Sequence, residues 1–495
     1  MKKRITTLLL TLAMAASLAG CGGQGTGEGN SGESGGDDLS EHVDLTMYLI
    51  GSEKAGHQKV MDALNEKLEE DLNCSLTVKY IGFGEFDTKY PLVLSGGEEI
   101  DLIYTSAWLN YAQMAEKGAY LPLEDLLPKY APESTAETDM DALKQMDDEG
   151  HIYFLPSNHP SYSTYGFITR GDVMKEYGVT EITNMDEYLD FTTMVNKDGV
   201  YKDSLSQSMH NLDEYLLLGK GYYPLTGGTG SPYWVKPSGE DNYTVYNKIE
   251  IPELQDFLME AQERCNEGAW SQSVLSNTDA YMVKEGLSAA TIHNVDQWID
   301  YAMAVPEADL QYTNYASPIY EGSIMQDAMA VPVTSKHPER ALMVLEKLRQ
   351  DESYYALLTW GIEGEHYELM DDGTIKIMNQ DDYMFENGTW GFRDDKFHRL
   401  QYGAPANAQQ VKDYIADNAQ ENIFKSYVIN TEPIKNEYAA VQNAMTQYFD
   451  PLALGYVDYE SGKQDLEQAL STAGDDKCKE ELQKQVDEFV AKVRS

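Results

Sequence analysis

From residue 43 onward the sequence alternates strand-like and helix-like segments, and this alternation constrains the fold more than any other feature. Residues 43–50, 75–81 and 100–104 are short, apolar and typical of buried strands. Between them, residues 53–72 carry Val and Leu at a spacing of four and are predicted to be a helix, and residues 86–94 a shorter one. This strand–helix–strand–helix–strand order predicts a parallel sheet with helices on its faces.

Ligands of such sheets bind beyond the carboxyl ends of the strands, so the loops after the three strands are candidate site segments. These loops are residues 51–53, 82–85 and 105–108. On this argument alone we predict that Ser52 and Glu53 contact a ligand.

A second unit of the same kind begins after residue 150. Residues 151–156 and 165–169 are predicted strands joined by a polar and aromatic connector, and residues 289–293 form a strand that leads into a helix. Further helices are predicted at 172–177, 184–196, 251–267, 279–285 and 338–349. The end of the chain is predicted to be helical and closes with a helix over 477–493. We therefore expect an α/β fold with a helical C-terminal region.

The N-terminus carries the features of a lipoprotein signal. Three positive residues at 2–4 precede an apolar segment at 5–19 that is short for a membrane span. The segment ends in Leu-Ala-Gly-Cys at 18–21, which resembles the bacterial lipobox. The resemblance implies that residues 1–20 are removed and that Cys21 receives a diacylglyceryl group. The alternative is an ordinary secretory signal in which the cysteine is incidental.

The segment after the cysteine supports the lipoprotein interpretation. Residues 22–38 contain no apolar side chain, so they cannot offset the entropy of ordering by burial. We predict that residues 21–40 form a flexible tether between a lipid anchor and a folded domain.

The composition excludes two classes of partner. Asp and Glu number 83 against 37 Lys and Arg, which gives a formal net charge of −46. Nucleic acids and anionic membrane surfaces attract clustered cations, so neither fits this chain. Tyr outnumbers Phe 35 to 12, and a ring with a polar edge suits amphipathic ligands.

The sequence shows no pattern typical of an enzyme, metal or cofactor site. The metalloprotease, nucleophile-elbow and phosphate-loop motifs are absent, and with so many acids a carboxylate pair does not indicate a glycosidase. Cys74, Cys265 and Cys478 follow no metal spacing, and at most one disulfide can form among the three. We expect no catalytic activity, no cofactor and no metal.

Several stretches resemble a known family. They are DLIY at 101–104 with the helix that follows, GHIYFLP at 150–156 through Arg170, SKHPERA at 335–341 and WGIEGEHYE at 360–368. The chain resembles extracellular solute-binding proteins of family 1, the receptors of carbohydrate ABC importers in Gram-positive bacteria. The motif at 360–368 further resembles a lipoprotein subgroup with an extra C-terminal helical region.

The resemblance implies a periplasmic-binding-protein-like clamp of two α/β lobes that closes on a sugar. Its expected division is 41–155 with 322–350 as lobe 1, 156–321 with 351–430 as lobe 2, and 431–495 as C-terminal helices packed on the lobes. It implies a monomer anchored by Cys21 at the outer face of the cytoplasmic membrane, with ABC permease subunits as partners. Two other functions stay open, a receptor for a peptide or other non-sugar solute and a wall-associated glycan hydrolase.

The resemblance also implies ligand-contacting residues. A sugar has flat C–H faces and hydroxyl edges, so its receptor needs aromatic platforms beside charged or amide groups. The candidates carried over are Ser106, Trp108, Asn158, Tyr162, Asn294, Gln297, Trp298, Trp360, Glu363 and His366. Against this, each Trp could be a core residue, and Glu363 and His366 could brace a turn. Trp390 and Arg393 could clamp a ligand or pack against the C-terminal helices, and we favour packing.

Overall fold

The computed structural model describes residues 39–494 apart from residues 110, 148, 164, 208–209, 226–229, 237–242, 280–281 and 385–388. The predictions for the signal segment, for Cys21 and for most of the tether concern residues outside this description. In the described part of the chain we find no helix with both the length and the apolar character needed to cross a bilayer.

Fifteen strands and eighteen α-helices are present among the described residues. The strands are Val43–Ile50 (β1), Cys74–Ile81 (β2), Leu102–Thr105 (β3), Phe154–Pro156 (β4), Gly166–Arg170 (β5), Tyr223–Pro224 (β6), Tyr233–Val235 (β7), Tyr246–Asn247 (β8), Ala290–His293 (β9), Leu310–Asn314 (β10), Ile319–Tyr320 (β11), Ala328–Ala330 (β12), Tyr367–Leu369 (β13), Ile375–Ile377 (β14) and Ala419–Gln420 (β15).

The α-helices are His57–Leu72 (α1), Phe86–Ser95 (α2), Tyr111–Glu116 (α3), Leu127–Tyr130 (α4), Pro132–Ala136 (α5), Met140–Gln145 (α6), Gly171–Glu176 (α7), Met185–Lys197 (α8), Leu212–Gly219 (α9), Pro252–Glu267 (α10), Val295–Ala304 (α11), Pro338–Gln350 (α12), Glu352–Trp360 (α13), Ala408–Asp417 (α14), Lys435–Ala444 (α15), Asp450–Ala453 (α16), Tyr459–Ala473 (α17) and Asp475–Val493 (α18). A π-helical turn, Met445–Phe449, joins α15 to α16.

The first sheet has the strand order β2-β1-β3-β12-β4. Strand β1 runs parallel to β2 and β3, which confirms the parallel sheet predicted from the alternating pattern. Strand β12 lies antiparallel between β3 and β4, although it follows them by more than 170 residues. The sequence predicts only an extended segment at 323–332, because a three-residue strand carries no periodicity of its own.

Helices α1, α12 and α13 cover the first sheet. Val60, Leu64 and Leu68 of α1 are buried against it, as their spacing predicts. The helix begins at His57 rather than at residue 53 and ends at Leu72, and the following residue, Asn73, adopts the left-handed conformation at φ 45°.

The chain after α12 also packs on the first sheet. Buried rings of Tyr354, Tyr355, Trp360, Tyr383 and Phe392 join its core. We expected residues 351–430 to belong to the second lobe, and this packing instead favours placing 351–397 with the first. The predicted boundary at residue 350 was set by position along the chain. The packing depends instead on aromatic rings after residue 350 that join the core of the first sheet.

The second sheet has the order β10-β5-β9, with antiparallel neighbours. Helix α8 packs near Phe167 and Ile292, and helix α11 packs near Ile168 and Leu310. Residues 282–286 form turns, where a helix over 279–285 was predicted.

The C-terminal helices share a core with the short sheet β6-β7-β8 and with α10. Leu466 of α17 and Cys478, Leu482 and Val486 of α18 are buried there. All three cysteines that the structure describes are free and buried, so none of them forms a disulfide.

Gly455 ties this helical region to α10. It closes the turn after α16 at φ +66°, and a Cβ atom there would overlap the carbonyl group of Ala261. Only glycine satisfies both the left-handed backbone and the close approach.

We predict that Gly455→Ala lowers the free energy of unfolding by about 2 kcal/mol or more, through backbone strain and overpacking together. Urea unfolding followed by circular dichroism measures the loss. Gly403→Ala is the matched control, since Gly403 has φ +95° but no atom within 4 Å of its Cβ position. Equal losses in the two variants would show that the contact with α10 contributes nothing.

Candidate functional site

Three chain segments connect the two sheets and pair with one another. These crossing segments are residues 157–165, 315–327 and 393–407. The amide of Asn158 donates to the carbonyl of Arg393 at 2.8 Å, and the amide of Gly322 donates to that of Ser161 at 2.8 Å. The segments start from the carboxyl ends of β4 and β10 and from the short 3-10 turn Trp390–Phe392. The pairing therefore brings one edge of each sheet to a common junction.

At the edge of the first sheet, four aromatic side chains form a group that we call the aromatic wall: Phe83, Phe86, Trp108 and Trp390. The ring centroid of Trp108 lies 5.3 Å from that of Phe86 and 6.4 Å from that of Trp390. Phe83 is 42% exposed and lies 6.1 Å from Trp390. Trp108 and Trp390 are half-buried, so part of each ring is available to a ligand.

Gly391 places the Trp390 end of this wall. A Cβ atom on Gly391 would lie 2.5 Å from Sδ of Met329 and 3.0 Å from the carbonyl oxygen of Ala328, both in β12. The absence of a side chain lets the backbone lie directly on the strand. Trp390 and Arg393 are thereby fixed on either side of this contact, and not against the C-terminal helices as we expected.

At the edge of the second sheet, α11 begins directly after β9. The side chain of Asn294 caps the helix by accepting a hydrogen bond from the amide of Gln297 at 2.9 Å. The cap places Asp296 in the first turn, where the helix dipole favours a negative charge. Asp296 therefore lies at the edge of the second sheet that meets the junction.

Asp296 is the centre of a charge cluster that also contains His159, Arg393, Asp395 and Lys412. Its carboxylate lies 3.1 Å from Nη1 of Arg393 and 3.1 Å from Nζ of Lys412. Nε2 of His159 is 3.8 Å away, and Nδ1 of the same ring lies 2.8 Å from Asp395. Because Arg393 belongs to the segment on the first sheet and Asp296 to α11, this ion pair joins the two sheets.

Burial and charge act in opposite directions on these acids. Burial raises the pKa of Asp296, but the charges of Arg393 and Lys412 outweigh it and hold that pKa well below its usual range. Burial also raises the pKa of Asp395, and the hydrogen bond with His159 together with Arg393 lowers it to about 2. Both groups are therefore carboxylates at neutral pH.

Asp327 connects the charge cluster to the aromatic wall. It precedes β12 and accepts a hydrogen bond from the buried hydroxyl group of Tyr104 at 2.5 Å. The ring of Tyr104 lies 5.9 Å from Trp108 and 6.4 Å from Trp390. Burial raises the pKa of Asp327, while Tyr104 and the nearby His159 and Arg393 act to lower it.

Some of the predicted site residues lie at this junction. Ser52 and Glu53 are exposed after β1, and Trp108 belongs to the aromatic wall. Asn294 is exposed and Gln297 half-buried beside Asp296. Asn158 and Tyr162 lie in the first crossing segment, where Nδ2 of Asn158 donates to Asp394 at 3.1 Å and Tyr162 forms a β-bridge with Glu321.

The other predicted residues lie elsewhere. Trp298 is 1% exposed and donates from Nε1 to the carbonyl oxygen of Leu310 at 2.9 Å, so its ring is part of the core. Trp360 is buried between Tyr355 and Tyr367. The hydroxyl group of Ser106 is buried and donates to the carbonyl oxygen of Gln326 at 2.6 Å. We remove these three residues from the proposed site.

Glu363 and His366 belong to the turn before β13. Glu363 is exposed, whereas His366 is buried and accepts a hydrogen bond at Nδ1 from the amide of Ile362 at 2.9 Å. Both lie among residues that pack on the first sheet away from the charge cluster, which fits a role in bracing the turn.

Among the described residues, Glu365, His366 and Asp382 are close enough to be considered as a metal site. The imidazole argues against it. Nδ1 of His366 accepts a backbone N–H, so in the neutral ring Nε2 carries the proton and has no lone pair for a metal. Nε2 instead faces Asp382 at 3.3 Å.

Several contributors to the junction were not predicted from sequence, among them Asp296, Trp390 and Arg393. Asp296 lies between two predicted residues, but an acid in the first turn of a helix is too common to be a signal. Trp390 and Arg393 were noticed but assigned to packing. Their position follows from the contact of Gly391 with β12, and no local sequence pattern predicts that contact.

Comparison with known proteins assigns the family. A sequence model described as bacterial extracellular solute-binding protein matches residues 52–353, more than half of the 495-residue chain. The chain belongs to this family. A second model, described as a domain of unknown function (DUF3502), matches residues 423–491. In this solute-binding protein, Trp390, Arg393 and Lys412 lie between the two matched regions.

Individual relatives agree with the assignment. A carbohydrate ABC transporter substrate-binding protein of Streptococcus pneumoniae serotype 4 is 23% identical over 491 residues, covering 97% of this chain and 96% of its own. The N-glycan transport solute binding protein NgtS of S. pneumoniae, in complex with Man1GlcNAc, is 19% identical with a TM-score of 0.75, covering 91% of this chain and 100% of its own. The alginate-binding protein AlgQ2, without calcium ion, is 14% identical with a TM-score of 0.62, covering 92% and 99%.

These structural likenesses show the fold. It is the two-lobed, periplasmic-binding-protein-like α/β clamp with a helical C-terminal region, as predicted from sequence. In clamps of this kind hinge motion is confined to a few loop residues that join the lobes, and the paired crossing segments are the part of this chain that joins the two sheets.

We predict that Arg393→Met destabilises this solute-binding protein by about 2 kcal/mol at pH 7, because Asp296 and Asp395 lose the cation they share, with the cost reduced by the partial exposure of Asp296 and by its remaining pair with Lys412. The stability that comes from the lowered pKa values of Asp296 and Asp395 is present above about pH 4, the ordinary carboxyl value, and is lost as pH falls toward the folded values. The difference from the wild type should therefore begin to shrink just above pH 4 and continue to shrink toward about pH 2, the folded pKa of Asp395.

Thermal unfolding across this pH range tests the expectation. Arg399→Met is the matched control, because Arg399 pairs with the half-exposed Glu352 at 2.6 Å on the surface. A constant difference from pH 7 to pH 3, or an equal loss in the control, would contradict the role of the charge cluster.

Proposed function

We propose that this protein captures a sugar or oligosaccharide between its lobes and delivers it to the permease of an ABC importer. The observation that carries the proposal is the aromatic wall beside the carboxylates of Asp296, Asp327 and Asp395. Ring faces stack on the C–H faces of a sugar, and carboxylates accept hydrogen bonds from pairs of hydroxyl groups. The names of the relatives support the same class of ligand.

The proposed contacts are Phe83, Trp108 and Trp390 as platforms, with Asp296 and Asp395 as hydrogen-bond acceptors. Ser52, Glu53, Asn158, Tyr162, Asn294 and Gln297 lie at the same edges or crossing segments and complete the proposed site. Closure would bring the aromatic wall of the first lobe toward Asp296 of the second, so that binding shifts the population toward the closed form.

We predict that Trp108→Ala or Trp390→Ala weakens glycan binding by about tenfold or more, since each removes a stacking face. Isothermal calorimetry on the intact chain against Man1GlcNAc, kestose, cycloalternan and alginate oligosaccharides identifies the ligand and measures the loss.

Tyr402→Ala is the matched control, because Tyr402 is a 56% exposed ring beside β14 and outside the aromatic wall. Binding that survives both Trp substitutions in folded protein would refute the platform assignment. If no glycan produces heat or a thermal shift, the sugar assignment itself fails. Recovery of the glycan unchanged after incubation supports a receptor rather than a hydrolase.

We further propose that the protein is a monomeric lipoprotein held at the outer face of the cytoplasmic membrane of a Gram-positive bacterium. The signal segment that ends at Cys21 supports this, as does the extracellular character of the family. A flexible tether would let the receptor reach the permease while staying anchored.

We predict that Cys21→Ser abolishes metabolic labelling of the protein with a radioactive fatty acid and releases it from the membrane fraction. The acceptor thiol is lost in this variant, and the acidic chain has no other attraction to an anionic surface. Cys265→Ser is the control, because that thiol is buried and should leave labelling unchanged. Labelling that persists in Cys21→Ser would rule out the lipobox interpretation.

A further inference from the structure

The charged side chains at the junction influence which glycans can bind there, because a charged glycan would interact with them directly. Three carboxylates, those of Asp296, Asp327 and Asp395, lie around the guanidinium group of Arg393 and the ammonium group of Lys412. With the imidazole of His159, which lies 2.8 Å from Asp395, the group comprises three carboxylates, two permanent cations and one titratable ring.

Both cations are already neutralised by these carboxylates. Lys412 lies 3.1 Å from Oδ1 of Asp296, and Arg393 lies 3.1 Å from Oδ2 of the same residue and 3.4 Å from Asp395. The side chains of Arg393 and Lys412 are 8% and 19% exposed, so neither can turn toward a new anion without giving up its ion pair with Asp296.

The carboxylates, in contrast, keep open faces. The side chains of Asp296 and Asp395 are 37% and 47% exposed, although both are engaged by cations on one side. A carboxylate has about four lone-pair positions, so each retains capacity for hydroxyl donors. The junction therefore presents hydrogen-bond acceptors to a ligand, whereas Arg393 and Lys412 are already paired with carboxylates.

Two donors of the Arg393 guanidinium group, Nε and Nη2, make no hydrogen bond to any described residue, although Nε lies 3.4 Å from Asp395. The side chain is more than nine-tenths buried. An N–H donor whose charge is already compensated is suited to a neutral hydroxyl or ring oxygen. A ligand carboxylate at this position would add a fourth negative group to three existing ones.

We propose that the junction selects uncharged glycans and rejects glycans that carry a carboxylate, with Asp296 as the residue that determines this specificity. The inference rests on the proposed function and goes beyond it by naming the charge class of the ligand. Asp296 acts in two ways, by repelling an incoming anion and by occupying the two cations that would otherwise bind it.

The test compares each neutral glycan that binds in the calorimetric panel with the same glycan after oxidation of one primary hydroxyl group to a carboxylate. We expect the oxidised form to bind wild-type protein at least about tenfold more weakly, because like charges at short range repel. The comparison uses the intact wild-type chain and does not depend on any variant. Oxidised and neutral forms that bind equally, or tighter binding of the oxidised form, would overturn the proposal while leaving the sugar-receptor function in place.

The residue assignment is tested with Asp296→Asn, which removes the carboxylate shared by Arg393 and Lys412, leaves Arg393 beside Asp395 and keeps the size of the side chain. We expect the discrimination against the oxidised glycan to shrink several-fold or to reverse. Asp417→Asn is the matched control, since it removes the same charge from the exposed end of α14 and should preserve the wild-type ratio.

Asp395→Asn is a second variant that relieves the same repulsion if the first does not fold. A folded Asp296→Asn protein that keeps the wild-type ratio would overturn the role of Asp296. If neither form of any glycan binds the wild type, the proposed function fails, and that outcome is distinct from binding without discrimination.

Discussion

Strand β12 is the constraint on which the rest of the structure depends. It pairs antiparallel with both β3 and β4, so the centre of the first sheet is completed only after the chain has built the second. The chain must therefore leave the first sheet at β4, form β5 to β11, and return. The crossing segments and the junction are consequences of this one pairing.

The same strand fixes the contents of the site. Asp327 enters the junction because it precedes β12, and Trp390 and Arg393 are placed there because Gly391 lies against Met329. Asp327 thus meets Trp390 and Arg393, which follow it by more than 60 residues in the chain. The backbone pairing of β12 and the close contact of Gly391 with Met329 hold the site in place. The polar side chains belong to the segments that these two contacts position.

The burial of Arg393 carries a desolvation cost, which carboxylates at the junction offset. A guanidinium group removed from water is unfavourable unless carboxylates accept its hydrogen bonds, and here one of these carboxylates comes from the other lobe. The ion pair between Arg393 and Asp296 is therefore both a stabilising contact at the junction and part of the surface that a ligand would meet. A ligand that breaks this ion pair must offer equivalent interactions to Arg393 and Asp296. Its affinity therefore depends on the relative position of the lobes.

The sequence by itself determined the class of fold and one edge of the site. Apolar periodicity is a local property, so it located the parallel strands β1 to β3 and helices such as α1 and α12 within a few residues. The rule that ligands bind beyond the carboxyl ends of such strands then selected Ser52, Glu53 and Trp108. Family resemblance supplied the clamp and the positions around Asn294 and Gln297.

Only the tertiary structure decided which polar groups face one another. Trp298 and Trp360 resemble Trp108 in sequence terms, but packing on their neighbours buries their rings, whereas Trp108 stays half-exposed at an edge. Asp296, Asp327 and Arg393 become a single cluster through strand pairing over long sequence separations. Local patterns carry no information about such pairing, because its free energy comes from contacts that exist only once the sheets have formed.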